Sequence, residues 1–243
     1  MNALEVHALG YRYRAGFALE RIDLVVEQGR MTVLLGPNGA GKSTLVNLLT
    51  RLYAPVSGTV TIASHPLAER PGPALAKLGV VFQQTTLDLD LSVRRNLAYA
   101  LALQGIAGRR AAIAVAEALD RFGLTESAGR PARALSGGNR RKLEVARALA
   151  HRPAVLICDE ATVGLDLPSR RALLTHVRAL CRDQGVGVLW ATHLMDEIEP
   201  GDDVVLLQRG TVRAAGTAAE LMARADAADM EAAFGTLTGE TAP

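Results

Sequence analysis

The sequence is poor in residues that staple or anchor a chain. Only two cysteines, Cys158 and Cys181, occur in 243 residues. That excludes a disulfide framework and a zinc cluster, and fits two reduced thiols in a cytosolic protein. Aromatics make up 4% of the chain, with a single tryptophan, Trp190, in a segment that reads as core. No apolar run approaches the roughly 18 residues of a membrane helix; Leu97–Leu103 is among the longest. The N-terminal Met1-Asn2-Ala3-Leu4-Glu5 lacks a basic run followed by an apolar block, so no signal peptide is expected. Neither sign of charge dominates. The 27 Lys and Arg against 25 Asp and Glu leave +2, which gives no global signal for nucleic acid or a membrane surface. Any membrane role is expected to come through a partner.

What the chain does have is apolar content, 49%, and a length that suits one large domain or a core with an inserted subdomain. Disorder, collagen and a disulfide miniprotein are excluded. Residues 1–30 read as short strands, followed by the compact apolar run Met31–Leu35, a glycine loop and a helical pattern from Lys42. Thr59–Ile62 and Gly79–Phe82 read as strands, and residues 64–76, with three prolines, as loop. From about 88 to 150, Ala, Leu and Arg recur at helical spacing, which predicts an inserted helical subdomain. Strand texture returns at Ala154–Cys158, Gly187–Trp190 and Val204–Leu207, the last opening a hairpin with Thr211–Arg213. Strands alternating with helices predict an α/β fold with a mostly parallel sheet. Residues 1–217 are expected to form one domain and 218–243 a helical tail.

Gly36-Pro37-Asn38-Gly39-Ala40-Gly41-Lys42-Ser43-Thr44 fits G-x-x-x-x-G-K-[ST] between a buried strand and a helix. Glycines let backbone N–H groups close around phosphate oxygens, and the helix start favours an anion. Lys42 is expected on the β- and γ-phosphates and the Ser43 hydroxyl on Mg²⁺. Alone, the loop implies only a nucleoside triphosphate. A second signal is Val155–Cys158 running into Asp159 and Glu160, as in a central strand that opens onto a ligand crevice. Asp159 is expected to hold the metal and Glu160 to polarise an attacking water. Cys158 reads as a small buried hydrophobe.

Leu135-Ser136-Gly137-Gly138-Asn139 precedes a basic run upstream of this acid pair. At these residues the chain resembles the ATP-binding subunits of ABC transporters, whose signature is L-S-G-G-Q. The resemblance covers nearly the whole chain and implies a P-loop NTPase core with an N-terminal antiparallel subdomain and an inserted helical one. It implies that Tyr13, or its neighbour Tyr11, stacks on adenine. It implies that Gln83, or Gln84, touches the metal and senses the membrane partner. Ser136, Gly137 and Gly138 resemble the signature that caps ATP held by an opposite protomer, Asp166 (in Gly164-Leu165-Asp166) the loop between protomers, and His193 the switch histidine at the γ-phosphate. A Ser-Gly-Gly helix start beside a chain's own phosphate loop fits two protomers pairing across a two-fold axis around two ATP molecules.

Three positions depart from the family pattern. Asn139 replaces the usual glutamine, Ala161 the usual proline, and Arg95 a frequent glutamate in a region that resembles the permease-docking face. Met230-Glu-Ala-Ala-Phe234 through Gly239 resembles the ending of drug- and polysaccharide-exporter (ABC-2 type) ATPases. The segments Cys158–Asp166 and Val188–His193 resemble a branch associated with pyrroloquinoline-quinone-dependent alcohol oxidation.

The implied function is an ATP-hydrolysing motor on the cytoplasmic face of the inner membrane, as a homodimer or paired with a related ATPase on a separate permease. The competing readings are a soluble ABC-type ATPase acting on nucleic acid or ribosomes, and a P-loop metabolic kinase. One nucleotide-binding unit without a coiled coil, zinc cysteines or a strong basic face argues against the first, and the helical insert against the second. His7, His65, His151 and His176 read as surface or packing residues, and the run Arg140-Arg141-Lys142 as a solvated helix face.

Overall fold

The computed structural model describes residues 1–14 and 16–239. The last four residues of the expected tail lie outside the described residues. Two sheets share the molecule. An antiparallel sheet has the order β2-β1-β4-β5, from β1 (Asn2–Arg12), β2 (Ala18–Glu27), β4 (Ser57–Ile62) and β5 (His65–Pro66). A six-stranded sheet has the order β10-β9-β3-β8-β7-β6, from β3 (Met31–Leu35), β6 (Leu78–Val81), β7 (Val155–Asp159), β8 (Gly187–Thr192), β9 (Asp203–Gln208) and β10 (Thr211–Thr217). Its strands pair in parallel except for the expected β9–β10 hairpin. The α/β class and the antiparallel N-terminal sheet are as the sequence implied.

Period-2 alternation divides the core. Val33, Leu35, Cys158, Trp190 and Leu206 face one apolar cluster, shared with the helical segments. Leu34, Ile157, Leu189, Ala191 and Leu207 face the other, shared with β1, β2 and α1 (Lys42–Leu49). β3, β7 and β8 are buried at every residue. Both faces are therefore covered, which explains the continuous apolar runs of the sequence.

Further helices are α2 (Pro71–Leu75), α3 (Val93–Leu103), α4 (Gly108–Arg121), α5 (Gly137–Leu149), α6 (Leu167–Gln184), α7 (Ala218–Arg224) and α8 (Met230–Thr238). None among the described residues is long and apolar enough to cross a membrane.

Two segments differ from the sequence reading. β1 and β2 are 11 and 10 residues long rather than short. Bulges break their alternation; Ala8 sits at φ 46° and its N–H donates to Asp23 Oδ1 at 2.9 Å. The region read as proline-rich loop contains β5 and α2. Pro71 stands at the start of α2, where its fixed φ suits a helix and its missing N–H costs nothing.

The β9–β10 turn ties the two sheets to the phosphate loop. The Gly210 N–H donates to the Ala40 carbonyl at 2.9 Å, and its own carbonyl accepts the Glu20 N–H at 2.8 Å. Gly210 has φ 78°, and a Cβ there would lie 1.8 Å from the Ala18 carbonyl oxygen. Glycine is the residue this crossing admits.

Candidate functional site

The site forms at the carboxyl ends of β3, β7 and β8. Residues 36–41 close a loop after β3, with Gly41 capping α1 at φ 112°. A Cβ at Gly41 would meet Leu19 Cδ2 at 2.6 Å, so the glycine lets the loop turn tightly against β2. The loop and the start of α1 border a cleft of about 530 Å³. Asn38, Gly39, Gly41, Lys42, Ser43 and Thr44 form one side; Tyr13 and Phe17 form a second and Gln83 and Glu160 a third.

Lys42 is almost fully buried, and its ammonium donates to the carbonyls of Gly36 at 2.8 Å and Pro37 at 3.2 Å. It also stands 3.3 Å from Glu160 Oε1. Burial pulls the Lys42 pKa below the ordinary lysine value, against the opposing pull of the Glu160 carboxylate. Glu160 holds a left-handed backbone, φ 48°, and its N–H donates to the Ala191 carbonyl at 2.9 Å. For a non-glycine residue this is a strained conformation. It aims the carboxylate into the cleft, where Gln83 Nε2 donates to Oε2 at 3.1 Å and His193 Nδ1 stands 3.3 Å from Oε1. Lys42, Gln83 and His193 thus converge on one carboxylate.

Asp159 is buried, and its Oδ1 has no hydrogen-bond partner. Burial raises its pKa, while the neighbouring Ser43 hydroxyl opposes that rise. An orphaned, buried carboxylate oxygen beside a hydroxyl fits an oxygen-liganded cation. No group of three His, Cys, Asp or Glu side chains among the described residues could hold a metal alone.

Of the two tyrosines, Tyr13 lines the cleft, and its hydroxyl lies 3.3 Å from Thr44 Oγ1. Tyr11 stacks on Tyr53 at 5.3 Å and meets the Tyr13 ring edge-on at 4.9 Å. Gln83 rather than Gln84 reaches Glu160.

Ser136, Gly137, Gly138 and Asp166 do not line this cleft. Ser136 caps α5 by accepting the Asn139 N–H at 3.3 Å, and Asp166 caps α6 by accepting the Ser169 N–H at 2.7 Å. That N–H bond lowers the Asp166 pKa. The two helix starts touch, since a Cβ on Gly138 would lie 2.9 Å from Ser169 Oγ. Ser136, Gly137 and Asp166 are exposed. Ala161 is fully buried in the turn after Glu160, and Arg95 is exposed near the start of α3.

Three groups of residues escaped the sequence reading or contradict it. Phe17 joins the cleft wall. Glu197, 2% exposed, accepts from Trp190 Nε1 at 2.9 Å and from the Thr162 hydroxyl, linking the turn after Glu160 to the strand before His193. The expected solvated face of Arg140-Arg141-Lys142 is corrected at its centre. Arg141 is 7% exposed and pairs with Glu144 at 2.7 Å. The i,i+3 spacing of opposite charges was the available signal, and burial of that face against the segment after β6 is its cause.

A family described as "ABC transporter" matches residues 19–163. An energy-coupling factor transporter ATP-binding protein, EcfA1 of Symbiobacterium thermophilum, is 37% identical over 86% of this chain and 74% of its own length. The chain belongs to the ABC transporter family. The daunorubicin/doxorubicin resistance ATP-binding protein DrrA of Streptomyces peucetius is 36% identical over 90% of this ABC chain and 67% of its own. The solved ATP binding subunit of an ABC transporter superposes with a TM-score of 0.86 at 28% identity, covering 97% of this chain and 99% of that one. A dimeric ATP-binding cassette in a post-hydrolysis state, bound to ADP and Pi, gives 0.78 at 25% identity, covering 88% and 98%.

Proposed function

We propose that this chain is the ATP-hydrolysing motor subunit of an ABC transporter, working in pairs on a separate membrane permease at the cytoplasmic face of the membrane. The observation that carries the reading is the convergence of Lys42, Gln83 and His193 on Glu160, beside a phosphate loop. A matched dimeric relative bound to ADP and Pi supports both hydrolysis and pairing.

In this reading, the loop N–H groups from Gly36 to Thr44 cradle the phosphates and Tyr13 stacks on adenine. Lys42 leaves its loop carbonyls for the β- and γ-phosphates. Glu160 takes a proton from water as the water oxygen bonds to the γ-phosphorus and the bond to the β–γ bridging oxygen breaks, releasing ADP. His193 lies beside the transferred group. Ser43, Asp159 and Gln83 would hold Mg²⁺, which supplies charge neutralisation on the phosphate oxygens. Ser136, Gly137 and Gly138, which lie outside the lining of their own cleft, cap the ATP of a second protomer, with Asp166 at the contact between the two. That second protomer is a copy of this chain or a related ATPase.

Purification of the tagged chain from membranes tests the reading. A hydrophobic multi-span protein should accompany it, and ATP hydrolysis should require magnesium. Recovery with nucleic acid or ribosomes instead, or ATP-dependent phosphorylation of a small molecule, would overturn it.

A further inference from the structure

The helix that starts at the signature is fastened to the segment bearing Gln83. Arg141, on α5, donates from Nη1 to the Phe82 carbonyl at 2.8 Å and from Nη2 to the Gln83 carbonyl at 3.0 Å. Glu144, 4% exposed, holds Arg141 with one oxygen, and its other accepts the Thr86 N–H at 3.1 Å. One turn further, Arg147 donates to the Thr86 carbonyl at 2.7 Å and to the Thr86 hydroxyl. Five backbone positions, 82–86, are thereby gripped at both ends by a single helix. The Arg141–Glu144 pair is buried, and charge-assisted bonds of that kind are geometrically demanding and costly to break. The segment reaches the cleft through Gln83 Nε2, which donates to Glu160 Oε2 at 3.1 Å.

We propose that Arg141 is a positioning residue: it makes α5 and the Gln83 backbone move as one body, so that engagement of Ser136 by the partner's ATP sets where Gln83 meets Glu160. A stiff helix transmits displacement at its start to Arg141, about 1.5 Å of helix axis per residue away. The backbone of Phe82 and Gln83 follows through two carbonyl bonds, and the carboxamide follows the backbone. The inference rests on the reading of Glu160 as the base for ATP hydrolysis, and it adds a route from the far protomer's site to that base.

A kinetic cycle on the full chain tests it. Arg141→Met/Glu144→Leu removes both buried charges together, so neither is left unpaired. We expect kcat to fall about 10–100-fold, the scale of a misplaced catalytic contact, with KM for ATP within about twofold. Arg141→Lys keeps a cation for Glu144 but can reach only one carbonyl, and should fall between the two. It serves as the test if the double variant fails to fold. The deciding comparison is with Gln83→Ala. If Arg141 acts through Gln83, adding either Arg141 change to Gln83→Ala costs no further rate. Multiplying effects, or variants with wild-type kcat, would overturn the inference. A wild-type chain with no ATPase activity would instead strike the functional reading itself. Amide exchange then still tests the grip: residues 83–86 should lose protection in the variants, and unchanged protection would overturn it.

Discussion

Lys42 and Glu160 face each other as a buried ion pair, 3.3 Å apart, inside the phosphate cleft. In the proposed reading, an incoming triphosphate competes with Glu160 for that ammonium. On that reading nucleotide entry would do two things at once: supply phosphate to the lysine and free the carboxylate toward water.

Glu160→Gln should slow turnover by roughly 10²–10⁴-fold, the usual share of a general base, while ATP still binds. Phosphate release set beside nucleotide binding checks this. Near-normal hydrolysis would take Glu160 out of that role.

Ser136→Arg should abolish ATP-induced dimerisation and leave nucleotide binding by the monomer intact. Ser136 is exposed and lies outside the chain's own cleft. Light scattering with and without ATP decides, and an undiminished dimer would count against shared pockets.

Asp159 gives a pH prediction. Burial raises its pKa above 3.8, so the folded chain keeps this proton to higher pH than the unfolded chain does. Stability of the nucleotide-free chain falls as pH climbs from 3.8 through the raised value, and the loss persists above it. Asp159→Asn should thus raise the melting temperature at neutral pH, by about 2–4 °C for each kcal/mol relieved, with the gap narrowing in acid. The same variant should lose the added stabilisation by magnesium and ATP. Thermal melts across pH test both, and a variant that melts lower at neutral pH would refute the first.

Tyr13→Ala should weaken ATP binding about 5–100-fold, the range of one lost base-stacking contact, while Tyr13→Phe and Tyr11→Phe bind nearly as wild type. Titration with a fluorescent ATP analogue compares the three. Equal affinity in Tyr13→Ala would exclude this ring from the base site.

Much of this was legible beforehand, because phosphate chemistry imposes residue type and spacing on consecutive positions. Gly36–Thr44 and Val155–Glu160 each carry their strand, turn and polar group in one short run. The choice between Tyr11 and Tyr13 was not legible, since Tyr11 lies in β1 and Tyr13 just past its end, and only the folded chain shows which ring lines the cleft. Nor was the burial of Arg141 legible. Helical spacing put it in a charged run, and only the packing of α5 on the chain after β6 shows which of three cations faces inward. Glu197 was hidden for the same reason, as its partners come from separate elements, Thr162 from the turn after β7 and Trp190 from β8.

In the proposed reading, the Gly210 crossing makes the distance between the base wall and the phosphate wall a property of a hairpin tip outside the cleft lining. A single methyl there would pry the antiparallel sheet, with Tyr13 and Phe17, away from the loop that grips phosphate. On that reading, a substitution at Gly210 would change the width of the cleft while leaving every side chain that lines it unchanged.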